Sequence, residues 1–185
     1  MNTTEDELSA LASRAQRGDQ QALEDLLTAV RPLVMKRCAK FLPYNGDAED
    51  AAQEALVTIA QKLDTWTGKG TFTGWVTVVA SNCARATYRT LKRRFAESAH
   101  ETVPESLDPR TTSVIAGTRI DLMEALEALE RARPATVDAF VMRDLGSLPY
   151  EEIAVATDTP LGTVKTRIRD AREFMRSMLI ERLES

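Results

Sequence analysis

Two blocks of apolar residues repeating at helical spacing are separated by a stretch, about Ala96 to Gly117, where the repeat is lost. Glu, Ser, Thr and Pro dominate that stretch. A segment without periodic apolar positions has no face to bury, and aperiodic loops of this length are uncommon inside a compact body. A flexible linker is therefore expected there, with a structured surface loop as the alternative. The chain divides into residues 1–95, a linker over 96–117, and residues 118–185.

The first block holds four helical patterns. Leu8, Leu11, Ala12 and Ala15 form a short one, stopped at Gly18-Asp19. A second stripe runs from Ala22 through Leu26, Val30 and Val34 towards Phe41; Pro32 lies inside it, where a kink is expected. Pro43 and Gly46 are expected to break it. Ala48 to Leu63 is the third pattern, with Ala52, Leu56, Ile59 and Leu63 on one face. After Gly68-Lys69-Gly70 a fourth begins near Thr71, with Phe72, Trp75, Val76, Val79 and Cys83 on its apolar side. Core packing is the plain reading of Trp75; Trp66, beside the loop, is open to either packing or exposure.

Aromatic residues are only 5% of the chain, strand-like alternation is scarce, and Ala, Leu, Glu and Arg fill the periodic segments. That composition favours helix. An all-α fold of two helical domains joined by the linker is expected. The formal net charge is −4, from 24 Lys and Arg against 28 Asp and Glu, which argues against a simple nucleic-acid coat protein. The distribution says more. Residues 85–94 hold Arg85, Arg89, Lys92, Arg93 and Arg94 with no acid, and residues 47–54 hold Asp47, Glu49, Asp50 and Glu54 with no base. Opposite patches suggest two different partners, against the alternative of two solvated helix faces. Cys38 and Cys83 lack metal spacing and read as small buried hydrophobes in a reducing compartment. No apolar run approaches a membrane span, and the polar, acidic first residues are unlike a signal peptide. A cytoplasmic location without membrane insertion is expected.

In the second block, Leu122, Leu126 and Leu129 share one helix, Arg133-Pro134 breaks it, and Val137, Phe140 and Val141 follow before Gly146. Pro149 to Ala154 opens a short helix, Thr157-Asp158-Thr159 a turn, and Pro160 suits the first turn of a final helix with Thr159 as N-cap. Short helix, turn, long basic helix is a helix-turn-helix pattern. At about 100° per residue, Val164, Ile168, Ala171, Met175 and Met178 fall on one inward side. Thr166, Arg169, Asp170 and Glu173 face away, flanked by Lys165 and Arg172 on one side and Thr163 and Arg167 on the other. Such an outer face can enter a major groove, where Arg and Lys reach guanine acceptors. Candidate DNA contacts are Thr163, Lys165, Thr166, Arg167, Arg169, Asp170 and Arg172.

On the third helix, Asp50 and Glu54 lie one turn apart with Gln53 beside them. Paired carboxylates raise a metal or acid–base hypothesis, but His100, the one histidine, lies in the linker. The acids also complement a helix N-terminus, and binding a basic partner is the better functional reading.

The string Asp47-Ala-Glu-Asp-Ala-Ala-Gln53-Glu54, then Phe72-Thr-Gly-Trp75-Val76 to Asn82, then Arg85, Arg89 and Arg93, resembles the promoter-melting domain of extracytoplasmic-function (group IV) RNA polymerase sigma factors. Pro149 to Ala154, Pro160 to Ile168 and Ala171-Arg172 resemble that family's −35-reading domain. Gly18-Asp19 also matches. The resemblance spans almost the whole chain apart from linker and termini. It implies that Asp47, Asp50, Gln53 and Glu54 dock on core RNA polymerase. It implies that Lys69, Thr71, Phe72, Asn82, Arg85, Arg89 and Arg93 serve the −10 element of promoter DNA, and that the linker threads between the two modules. It adds an anti-sigma factor to the expected partners, and implies no catalysis and no cofactor. Departures are Thr73 and Ser81, where the family is often basic, Ala86, where it is often acidic, and Asp170, where Arg or His is frequent. Two other readings are a free-standing helix-turn-helix regulator and a helical enzyme using Asp47, Asp50 and Glu54 with a divalent metal.

Overall fold

The computed structural model describes residues 4–42, 44–98 and 113–183, with side chains over 4–42, 44–94 and 121–180. Every regular element among them is helical. Thr4 starts α1 (Glu5–Gln16) with a reciprocal cap: its hydroxyl accepts from the Glu7 amide, and Glu7 accepts from the Thr4 amide. Gly18, at φ 90°, turns the chain, and Asp19 caps α2 (Gln20–Phe41) by accepting from the Ala22 amide at 3.0 Å. The Asp19 carboxyl is held below its ordinary pKa, first by that amide and then by Arg14.

The α2 helix runs unbroken through Pro32, so the proline does not end it; flanking packing from Val30 and Val34, both fully buried, holds the helix on course. Nor does Gly46 act as a break. It lies in the first turn of α3 (Asn45–Lys62), and Pro43 falls outside the described residues. A 3-10 turn (Leu63–Thr65) follows, then the loop to α4 (Phe72–Ser98). Ala48, Ala51, Ala52 and Ala55 give α3 a small-residue face, and small side chains at a contact let helix axes approach closely. Leu26, Val34, Phe41, Ile59, Phe72, Val76 and Ala80 fill the space between α2, α3 and α4.

The second half comprises α5 (Ser113–Ala132), α6 (Pro134–Phe140) with a π turn at Val141–Leu145, α7 (Tyr150–Ala156) and α8 (Leu161–Leu183). The α7–turn–α8 unit is a helix-turn-helix. Its apolar stripe is buried as the periodicity predicts: Val164, Ile168, Ala171 and Met175, with Met178 partly buried. The predicted cap is corrected: the Thr159 hydroxyl donates to the Thr157 carbonyl and accepts from Arg167, and α8 opens at Leu161. Helix also covers both ends of the expected linker, since α4 reaches Ser98 and α5 opens at Ser113. Residues 99–112, with His100, lie outside the described residues.

Gly146 ends the π turn, its amide donating to Val141 at 2.7 Å. A Cβ there would lie 2.3 Å from the Met142 carbonyl oxygen. Replacing it with alanine forces backbone apart, so Gly146→Ala is expected to cost about 1–3 kcal/mol, read as a lowered denaturation midpoint.

The two halves pack on each other. Met123, Leu126, Leu129, Val137, Phe140 and Val141 join the apolar cluster of α1–α4, while Val78 of α4 packs against the smaller cluster of Met142, Leu148, Ile153, Val164 and Ile168.

Candidate functional site

Three surfaces gather the predicted residues. On α3, Asp50, Gln53 and Glu54 are exposed. Asp47 is half-buried, and burial first, then the neighbouring Asp50, pushes its carboxyl up. Asp47, Asp50 and Glu54 border a groove whose other wall is α4, through Ala86, Thr87, Thr90, Leu91 and Arg94. Among the described residues no group of three or more His, Cys, Asp or Glu is placed to hold a metal ion, and no helix is long and apolar enough to cross a membrane.

The second surface is the loop before α4 and the face of that helix. The Thr71 hydroxyl accepts from the Gly74 amide at 3.1 Å, capping α4, and donates to Glu152 of α7 at 2.5 Å. Loss of a cap of this kind costs about 1 kcal/mol. Glu5 of α1 completes the helix start by accepting from the amides of Phe72 and Thr73 and from the Thr73 hydroxyl. Thr65, Trp66, Lys69, Gly70 and Thr71 line one side of a cavity of about 340 Å³; Leu148, Glu152 and Val155 line the other. Lys69 is exposed.

Phe72 requires correction as a surface contact. It is fully buried, with Trp66 edge-on at a ring separation of 5.1 Å and Trp75 at 5.5 Å. Trp66 is buried too. An aromatic at helical spacing reads the same whether it packs or contacts a ligand, and here its loop folds back over it.

Along α4, Asn82 is exposed and accepts from Arg85 at 3.3 Å. Arg85, expected on an open basic face, is only 6% exposed. Its guanidinium meets Glu130 at 2.7 Å and Asp138 at 3.7 Å. Arg89 meets Glu130 at 3.1 Å, and Lys92 meets Glu127 at 2.8 Å and Glu124 at 3.6 Å. Arg93 is exposed. The acids come from α5 and α6, more than 30 residues away in sequence, so no local charge pattern could reveal them.

The third surface is the outer face of α8. Thr163, Lys165, Thr166, Arg169 and Arg172 are exposed, and Arg167 and Asp170 partly so. Asp170 accepts from Arg169 at 3.1 Å and Arg172 makes a two-bond pair with Asp144 at 2.5 and 2.8 Å. That pair anchors α8 to the π turn and holds the Arg172 guanidinium above its ordinary pKa.

The sequence also left Arg37 unremarked. It is buried on α2, and donates to the carbonyls of Leu145 and Gly146 at the end of the π turn. Burial lowers its pKa, and its Nε has no hydrogen-bond partner. Its position between Val34 and Phe41 on a buried stripe was the available signal.

The Sigma-70 region 2 family model matches residues 26–94, and the Sigma-70 region 4 model matches residues 119–175. The chain is 30% identical over 175 residues to the ECF RNA polymerase sigma-E factor of Escherichia coli K12, covering 88% of this chain and 89% of that one. The chain belongs to the ECF RNA polymerase sigma factors. The RNA polymerase sigma-H factor of Pseudomonas aeruginosa is 27% identical over 178 residues, covering 92% of each chain. Among solved structures, CnrH in complex with the cytosolic domain of CnrY aligns with a TM-score of 0.56 at 18% identity, covering 93% of this chain and 96% of that one, and shows the shared fold.

As an ECF sigma factor the chain recognises promoters and directs transcription initiation. Region 2 contains the acidic face of α3, the cavity-lining loop and the basic residues of α4. Region 4 contains α7, the turn and most of α8, with the start of α5 and the end of α8 outside it.

Proposed function

We propose that the three surfaces divide the work of initiation. Asp50, Gln53 and Glu54, with Asp47 at the helix start, grip a basic surface of core RNA polymerase. The loop from Thr65 to Thr71 captures an unpaired base of the −10 element, while Asn82, Arg85, Arg89 and Arg93 hold the strands nearby. Thr163, Lys165, Thr166, Arg167 and Arg169 read or grip the −35 element, with Asp170 able to accept from cytosine and Arg172 placed for the backbone. Residues 1–95 and 118–185 form the two promoter-reading domains. The protein carries no catalysis of its own and works in the cytoplasm, where its polymerase is. An anti-sigma partner belongs to this reading; CnrH, a protein of similar fold, was solved in complex with the cytosolic domain of CnrY.

One observation carries the reading most directly: the exposed carboxylates of α3, Asp50 and Glu54, and the exposed outer face of α8, with Lys165, Thr166 and Arg169, lie on separate helices, each open to a partner of opposite charge. Capturing an extruded base costs a few kcal/mol of unstacking, which a loop-lined cavity and nearby cations can offset. Family membership does not favour a free-standing regulator.

Reconstitution tests it. Purified protein mixed with core polymerase is expected to form a holoenzyme that initiates at a specific promoter. With its formal charge of −4, the protein alone is expected to bind duplex DNA weakly, because affinity for DNA comes largely from neutralising phosphates. Failure both to bind core polymerase and to initiate would sink the proposal, and tight binding to a two-half-site operator without polymerase would replace it.

A further inference from the structure

We infer that Glu5 and Gln16 of α1 are positioning residues for −10 recognition: from one face of that helix they pin the two ends of the Thr65–Thr71 loop and hold it ready for a base. The inference rests on the proposed role of that loop. The region 2 match begins at residue 26, so α1 lies outside the matched segment.

The sequence sets up the face. Glu5, Leu8, Ala12 and Gln16 fall on one side of α1 at helical spacing. Leu8 and Ala12, in the middle, are buried in the main apolar cluster, and the two polar residues at the ends are half-buried. Glu5 and Gln16 stand about three turns, or about 16 Å, apart along the helix axis. Both ends of α1 are themselves fixed. The reciprocal cap of Thr4 and Glu7 holds the turn that carries Glu5, and Arg14 donates twice to Asp19, at 2.7 and 2.9 Å, across the turn that carries Gln16.

Each polar side chain meets one end of the loop. The Gln16 side-chain amide donates to the carbonyls of Leu63 at 2.8 Å and Trp66 at 2.9 Å, where the 3-10 turn gives way to the loop. Glu5 accepts from the amides of Phe72 and Thr73, and from the Thr73 hydroxyl at 2.8 Å, where the loop becomes α4. Amides at a helix start lack partners within the helix, and the carboxylate also suits the positive end of α4.

Between the two anchors the loop has little to hold it. Thr67, Gly68, Lys69 and Gly70 are exposed, and both glycines take left-handed backbone, at φ 75° and 76°. Exposed backbone with glycines has much freedom to lose, and ordering a loop at the moment of binding weakens binding. Order supplied beforehand by α1 removes that cost. Neither Glu5 nor Gln16 lines the cavity beside the loop, so each acts through the loop and not on the base.

The test uses Glu5→Ala and Gln16→Ala, with Glu5→Gln as the conservative variant that keeps an acceptor. Ala10→Gly is the control, since it weakens α1 by helix propensity alone at an exposed position. Hydrogen exchange of the free protein is expected to run roughly tenfold faster over residues 64–71 in the two alanine variants, and at the wild-type rate there in Glu5→Gln and Ala10→Gly. Holoenzymes are then offered a pool of short single-stranded DNA of random sequence, and the bound strands are sequenced. The wild type is expected to enrich one base at one position of the −10 element. The alanine variants are expected to lose that preference roughly tenfold while assembling with core polymerase normally, and Glu5→Gln to recover most of it. Unchanged exchange over residues 64–71 overturns the inference. So does an equal loss of preference in Ala10→Gly, which would make α1 a merely structural helix, and so does faster exchange with base preference intact. In that last case Thr67→Ala with Lys69→Ala locates the error. Altered preference leaves the loop as the base reader without help from α1; unaltered preference, or a wild type that prefers no base, removes the loop's role as well.

Discussion

Phe72→Ala is expected to destabilise the protein by about 3–5 kcal/mol, and its effect on initiation to follow from lost fold rather than lost contact. The ring is fully buried and meets Trp66 edge-on and Trp75 at a tilt. Truncation removes its transfer free energy, leaves a cavity beneath the loop, and strips Trp66 of the partner that holds it in place. A loss of this size is a large part of the stability of a domain this small. Denaturant melts of the free protein, followed by the near-ultraviolet signal of the tryptophans, measure it. Phe72→Leu, which keeps most of the volume, is expected to recover most of the stability. A stable Phe72→Ala protein that fails only in promoter opening would reverse this account and return the ring to the DNA.

Reversing the acidic face of α3, with Asp50→Arg and Glu54→Arg together, is expected to abolish holoenzyme assembly while leaving the helix content unchanged. Both side chains are exposed, and surface substitutions of this kind rarely move stability far. At an interface the effect is larger, because like charges are brought together where opposite charges met. A loss of about 3 kcal/mol or more corresponds to roughly a hundredfold weaker binding to core polymerase. Asp47 is a poorer test residue, being half-buried. Native gels with core polymerase, backed by circular dichroism of the variant, decide the matter. Undiminished assembly would show that α3 is not the polymerase grip.

Much of the molecule is legible in one dimension, for a physical reason. Helices repeat every 3.6 residues, so Val164, Ile168, Ala171 and Met175 declare a buried stripe and thereby declare Lys165, Thr166 and Arg169 to be outside. Asp50 and Glu54 are readable for the same reason. What escapes is whatever depends on contacts distant in sequence. Arg85 looks like its exposed neighbours Arg89 and Arg93 until Glu130 and Asp138 arrive from the other half of the chain. Phe72 and Lys69 flank the same loop, yet one is interior and the other open. Glu5 caps α4 across 67 residues. Thr159 has the chemistry of an N-cap, but its hydroxyl is committed to Thr157 and Arg167. Gly46 resembles a helix breaker yet sits in the first turn of α3, where the cost of a glycine is small beside the packing of the four alanines that follow.

The two thiols carry a consequence for redox chemistry. Cys38 is fully enclosed, and burial pushes its pKa up to about 12; the Cys83 thiol is raised as well, again by burial first. Thiolate is the reactive form towards peroxides and alkylating reagents. At neutral pH Cys38 stays protonated and Cys83 is held towards the same form, so the bundle that carries them is slow to record an oxidant.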